Sequence, residues 1–377
     1  MKNEEFATAL MLSALLLTGC SSDNEETTGI PSNEDVLELA VYSQNIEEET
    51  AAQTREMTAA QTREMTAAQT RAVPPGYAVY PAEGVAAEDV SRIGVFVTTP
   101  SMASGEASPG NFIYANNKWN SLVSVREGVD YYIYGYMPSE YFTCQVQTAP
   151  KTQNYSSGVT MKFGRMLPVS THDLCIITGV QDISSADDEV SLTAGNFHYT
   201  GKSKEAKNLA RLMFDHLFAA ARIELKIDAE YAKLRDIRLK EMTMRSTTEV
   251  AYTGTVILYS NGSRSTSWQE AGYLAQDEAK SQTLFSDADG VSLSATEAMI
   301  LNGYCLPTIS STIVVKSKYD VYDTKGNLIR KDCEAENKLS LPSSAGLRGI
   351  FKMTVKPTYI YVLSDPDEEP PTITVED

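Results

Sequence analysis

Two features of this chain carry chemistry by residue type and spacing: a cysteine behind an apolar run, and three arginines in a repeated motif. Leu17-Thr18-Gly19-Cys20 closes the run from Phe6 to Leu17. A small residue directly before such a cysteine fits a signal peptidase that cleaves ahead of it, leaving the thiol to carry a diacylglycerol. Cys20 is therefore expected to be lipidated, with residues 1–19 as a leader whose apolar stretch is too short for a permanent membrane helix. Glu4 and Glu5 make the start of that leader atypical. One residue bearing two or three acyl chains holds a protein on a membrane, where a single chain would be marginal.

The arginines lie in the motif TAAQTREM, written at Thr50 to Met57, again at Thr58 to Met65, and cut short at Thr66 to Arg71. Arg55, Arg63 and Arg71 each offer a trypsin-like protease a cut that releases everything downstream from the lipid. The motif is rich in Thr, Ala and Gln and lacks an apolar period, which reads as a flexible loop, with a short helix through the Ala-Ala-Gln units as the alternative.

Other constellations are weaker. His172, His198 and His216 are far apart and none has metal-ligand spacing; His216, among Phe214, Leu217 and Phe218, reads as a hydrogen-bonded core residue. Asp287-Ala288-Asp289-Gly290 is short of a calcium loop because Phe285 stands where an acid is needed, so it reads as a solvated turn. Asp187-Asp188-Glu189 and Asp367-Glu368-Glu369 read as exposed charge runs, with nothing pairing them as acid and base. No nucleophile elbow, P-loop or dinucleotide fingerprint occurs. The expectation is a protein that is not an enzyme and takes no cofactor and no metal. Beyond Cys20, Cys144, Cys175, Cys305 and Cys333 have no C-x-x-C spacing and read as buried free thiols, with one or two disulfides as the alternative in an exported protein.

Charge narrows the partners. Residues 1–71 hold four basic and thirteen acidic groups, a net of −9, half of the −18 carried by the 377-residue chain. The body is acidic as well, which argues against nucleic acid, because phosphate contacts need clustered Lys and Arg.

The elements that must position these residues are mostly strands. Leu37, Leu39 and Val41 alternate with Glu38 and Ala40 between Val36 and Tyr42, the period-two mark of a half-buried strand. This strand lies on the membrane side of all three arginines. From Arg92 onward, short β-branched and aromatic runs recur at 93–97, 131–136, 159–163 and 173–177, and later at 237–244, 252–259, 312–321, 350–355 and 359–363. Ile223, Leu225 and Ile227 alternate cleanly. The length suits two domains, and many short strands indicate antiparallel β-sandwiches. The expected division is 1–19 leader, 20–71 prosegment, 72–200 first sandwich and 201–377 second sandwich.

Several segments together resemble the fimbrillin family, subunits of Bacteroidales type V pili. The lipobox with an arginine-bearing loop is similar to the family's prosegment, and the acidic Ser21 to Glu26 resembles a surface-export signal of Bacteroidetes lipoproteins. Tyr131 to Pro138 (YYIYGYMP) is similar to an aromatic strand ending in Tyr-x-Pro, and Phe214 to Ile223 to an F-x-H strand start. Tyr359 to Asp367, followed by Pro370 to Val375, is similar to the terminal signature. The resemblance implies an all-β chain of two transthyretin-like antiparallel β-sandwich domains in tandem, outer-membrane transport as a lipoprotein, and cleavage by an Arg-specific protease. It maps the cut to Arg71-Ala72, while the repeats leave Arg55 and Arg63 as alternatives.

If the strand from Val36 to Tyr42 fills an edge of the first sandwich, its loss opens a groove with unpaired backbone groups. Thr372-Ile373-Thr374-Val375 could refill that groove in another copy, building a filament from a contact that does not close on itself. The partners expected are other copies and other pilus subunits, at the cell surface, in adhesion and biofilm formation. The alternative is a non-polymerising surface lipoprotein, or a tip or accessory subunit, that binds glycan or host protein.

Overall fold

A computed structural model describes residues 36–48, 75–183, 189–203, 206–275, 280–307, 309, 312–342, 344–357 and 372–375. Cys20, the repeats with Arg55, Arg63 and Arg71, Ala72, and the expected strand at 359–363 lie outside them. In chain order the strands are β1 (Glu38–Gln44), β2 (Glu47–Glu48), β3 (Tyr77–Tyr80), β4 (Ile93–Thr98), β5 (Gly110–Ala115), β6 (Lys118–Asn120), β7 (Asp130–Met137), β8 (Cys144–Thr148), β9 (Gly158–Met166), β10 (Val169–Ser170), β11 (Cys175–Ile183) and β12 (His198–Thr200). They continue as β13 (Leu209–His216), β14 (Ala219–Ile227), β15 (Arg235–Ser246), β16 (Val250–Tyr259), β17 (Arg264–Tyr273), β18 (Ser281–Ser292), β19 (Met299–Cys305), β20 (Thr312–Asp323), β21 (Leu328–Ser340), β22 (Leu347–Lys356) and β23 (Thr372–Val375).

The all-β expectation holds, and the strands build two sandwiches. One sheet runs β3-β1-β13-β11-β7-β4-β5-β6, with β12 on β7, and shares a core with the sheet β17-β16-β9-β8. The other sandwich joins β10-β19-β14-β22-β2, with β23 on β22, to β18-β15-β20-β21. Pairing is mainly antiparallel. Three ladders are parallel, β1 with β13, β14 with β22, and β2 with β22. Period-two alternation states which face is buried and carries no strand direction, so these ladders have no mark in the sequence.

A division near residue 200 cuts across this arrangement. β13 follows that point yet pairs with β11, and the β16–β17 hairpin pairs through β16 with β9, so the second half of the chain completes the first sandwich. In return β10 pairs with β19, and Val169 joins the second core. The apolar run from Leu212 to Ile227 likewise divides: β13 serves one sandwich and β14 the other, with the break at Leu217-Phe218.

Local chemistry explains the individual elements. In the YYIYGYMP run, a Cβ on Gly135 would sit 2.5 Å from the Gly94 carbonyl oxygen and 2.8 Å from Ile177 Cδ1, so only glycine lets β4 and β7 approach. Asp287 to Gly290, expected as a free turn, lies inside β18. There the Asp287 Oδ1 accepts the N–H groups of Asp289 and Gly290 at 2.9 and 2.8 Å, a turn built into a strand whose ladder with β15 shifts register. Trp119 is in the first core, and Trp268 packs against it.

Candidate functional site

β1 and the residue before it place apolar side chains at alternate positions, and all of them reach the first core: Leu37 is 0% exposed, Leu39 8% and Val41 2%. Tyr42, on the opposite face, is buried too, so the strand is covered on both sides near its end. The expected edge position is corrected here. β1 runs parallel to β13 from Glu38↔Leu209 to Ser43↔Phe214 and antiparallel to β3 from Val41↔Tyr80 to Gln44↔Tyr77. Its N–H groups at Leu37, Glu38 and Asn45 donate to the carbonyls of Val123, Asn208 and Gly76 at 2.7 to 2.8 Å. A strand with partners on both flanks leaves a slot when withdrawn, with unpaired groups on two walls.

The outer wall, β3, has its own attachments. Tyr77 donates its hydroxyl to Asp215 Oδ1, which also accepts from Thr178 Oγ1 at 3.0 Å, while Arg264 meets Asp215 Oδ2 at 3.1 Å. Burial, then the Asp215 carboxylate, push the Tyr77 phenol above its ordinary range, so it stays a donor. Tyr80 accepts the Ser91 N–H and stacks on Trp119. Thus β3 has side-chain anchors independent of β1. The Tyr-Ala-Val-Tyr run was the available signal for it, short but aromatic and β-branched.

At the end of β1 the chain crosses between the sandwiches. His216 donates from Nε2 to the Gln44 carbonyl and from Nδ1 to Asp173 Oδ2, both at 2.6 Å. The Gln44 carbonyl only accepts, so Nε2 carries a proton. Burial alone lowers its pKa, but the Asp173 carboxylate, the Gln44 carbonyl and the Asp215 charge together raise it above the ordinary value. Three residues on, the Glu47 N–H donates to the Gly346 carbonyl at 3.1 Å, and β2 pairs with β22 in the second sandwich. The segment from β1 to β2 therefore touches both sandwiches, and the two-residue β2 has no sequence signal.

Cys175 Sγ lies 3.3 Å from His216 Nδ1. This is not an activated nucleophile: burial, then the charges of Asp173 and Asp215, push the thiol up and keep it protonated. Cys144, Cys175, Cys305 and Cys333 are all buried, and none is in a disulfide. His172 stacks on Tyr141 and lines the same cavity as His216, while His198 is paired with Asp130 at 3.0 Å.

The tail strand β23 lies on the second sandwich. It runs antiparallel to β22 from Met353↔Val375 to Lys356↔Thr372, with Ile373 in the second core and its carbonyl accepting from Asn337 Nδ2 at 2.8 Å. β2 and β23 thus share one side of β22, at opposite ends.

No family model and no curated protein matches the chain. Among solved structures it is similar to a fimbrial protein from Bacteroides vulgatus ATCC 8482, at 14% identity and a TM-score of 0.33 over 75% of this chain and 91% of that one. It is also similar to a candidate cell adhesion protein from Bacteroides fragilis NCTC 9343, at 11% identity and a TM-score of 0.38 over 91% and 97% of the two chains. A third, a candidate cell adhesion protein from Bacteroides ovatus ATCC 8483, has 12% identity and a TM-score of 0.34 over 90% and 96%. Likeness this loose is no evidence of shared function.

Proposed function

We propose that the chain is the precursor of a polymerising pilus subunit, exported to the cell surface as a lipoprotein on Cys20 and activated by an Arg-specific cut that frees β1 from the body. The observation that carries this reading is the position of β1. It is an interior strand of the first sandwich, second from the sheet edge, while the chain joining it to β3 includes Arg55, Arg63 and Arg71. A cut after Arg71 starts the remaining chain at Ala72 and leaves β3 with the body. β1 is then held by non-covalent contacts alone and can leave.

The vacated slot has two hydrogen-bonding walls and a floor that held Leu37, Leu39 and Val41. Burial of each such side chain contributes about 1.5–3 kcal/mol, so a strand that fills the slot is strongly favoured over water. Thr372 to Val375 of another copy is the donor: it is short, alternating, and lies on one side of one strand. Slot and donor are different surfaces of the molecule, so the contact propagates into a filament, with adhesion and biofilm formation as its use. The motif resemblances at Tyr131 to Pro138 and Phe214 to Ile223 add to this reading.

A second reading has one observation in its favour: β23 is already docked on its own sandwich. A subunit whose tail stays there would be a non-polymerising surface lipoprotein or a tip subunit. The two are separated by incubating purified precursor with trypsin. Polymerisation gives a ladder of SDS-resistant multimers whose N-terminal sequence starts at Ala72, and deletion of residues 368–377 abolishes it. A cleaved product that remains monomeric, or a ladder unchanged by the deletion, refutes tail-donated polymerisation.

A further inference from the structure

The end of β1 adjoins a cluster that strand-by-strand reading of the sequence does not join. Cys175 opens β11, Asp173 lies two residues before it, and His216 stands directly across the ladder from Cys175. The Leu217 N–H donates to the Leu174 carbonyl at 2.7 Å, which fixes the two strand ends against each other. One donor atom from each residue, Asp173 carboxylate oxygen, Cys175 Sγ and His216 Nδ1, lies within 4.8 Å of the other two.

The geometry points to a divalent metal site, zinc by its ligands, formed by Asp173, Cys175 and His216. A thiolate, an imidazole and a carboxylate are the ligand types zinc takes together, whereas calcium and magnesium require oxygen throughout. Three further observations fit. The His216 Nε2–H is held by the Gln44 carbonyl, which leaves Nδ1 as the coordinating nitrogen and supplies the outer hydrogen bond that ligating histidines use. Asp173 Oδ1 is buried with no hydrogen-bond partner. A cavity of about 280 Å³, walled by Tyr80, Met137, Thr171 and Tyr304 among others, opens on all three residues and gives a fourth ligand, water, a place to stand.

In the metal-free chain a proton holds the place between Nδ1 and Asp173. Zinc displaces that proton and the Cys175 thiol proton, so two protons leave to solvent and the two anionic ligands balance the ion's charge. Small outward shifts suffice: with zinc about 2.3 Å from sulfur and about 2.0 Å from nitrogen, tetrahedral angles place Sγ and Nδ1 about 3.5 Å apart, against 3.3 Å here, and the 2.6 Å contact between Nδ1 and Asp173 Oδ2 opens as its proton leaves. Coordination fixes the same ring that grips Gln44, so the metal also tightens the hold on β1. That consequence rests on the reading of β1 as a removable strand, while metal binding itself does not.

The test uses the full chain with Cys20→Ser, which removes the cysteine outside the described fold. Titration with Co²⁺ is expected to give a thiolate charge-transfer band that saturates at one equivalent and is displaced by Zn²⁺. Cys175→Ser should abolish the band and His216→Gln should weaken binding by at least roughly tenfold, with far-ultraviolet circular dichroism showing both variants folded. Zinc-edge X-ray absorption of the unmutated site should require one sulfur in the shell, a readout independent of any variant's folding. Absence of the band at one equivalent, a shell of nitrogen and oxygen alone, or a band that survives Cys175→Ser would overturn the assignment. None of these outcomes depends on whether the chain polymerises, so failure here and failure of the pilus reading are distinguishable.

Discussion

β1 and β23 are both short strands from the ends of the described chain, and they are held in different ways. β1 has seven residues, hydrogen-bonded neighbours on both flanks, one face in the first core and Tyr42 buried on the other. β23 has four residues, a single strand partner and Ile373 as its buried anchor. Pairing on two flanks makes withdrawal cost two ladders at once, while pairing on one lets a strand peel residue by residue. A strand of the first kind needs its covalent link cut before it can be replaced. One of the second kind can exchange without any cut, which is what a donor requires.

The sharpest way to break this contrast is Leu37→Asp. An unpaired carboxylate at a fully buried position should destabilise the precursor by at least about 3 kcal/mol, read as a lower urea midpoint. An unchanged midpoint would mean that β1 is not part of the folded core. Next in size is His216→Ala, which leaves the Gln44 carbonyl and the Asp173 carboxylate without their donor. A loss of about 2 kcal/mol is expected, with faster amide hydrogen exchange along β1. Ile373→Ala should cost only about 1 kcal/mol, because the tail can lift away instead of leaving a cavity, and exchange should quicken at Met353 to Lys356 of β22. A cost equal to that of Leu37→Asp would erase the distinction between the two strands. Smallest is Glu47→Pro, which removes the N–H given to Gly346. It should cost roughly 0.5–1.5 kcal/mol and leave exchange in β13 unchanged, showing that β2 is a minor attachment.

What the sequence made legible was the face of each strand, and what it hid was each strand's neighbour. The Leu37, Leu39, Val41 alternation and that of Ile223, Leu225 and Ile227 both mark strands with the expected buried side. β17, β18 and β21 escaped because they are polar: Arg264-Ser265-Thr266-Ser267 and Lys331 to Lys338 have no apolar run, and exposed strands need none. The interior position of β1 depended on β3, four residues long and half exposed. The Asp173, Cys175 and His216 cluster was hidden for a different reason. Cys175 and His216 are 41 residues apart, and only the β11–β13 register makes them face each other.

The β16–β17 hairpin bears on the order in which the protein can be made. The first sandwich has no complete second sheet until Tyr273 has emerged, and the second still awaits β18 to β22 at that point. A chain made from its N-terminus therefore cannot finish the first sandwich until β14 and β15 of the second have already been made. The first core closes only once Tyr273 is made, so its apolar strands stay unpaired through most of synthesis and rely on whatever keeps them from aggregating.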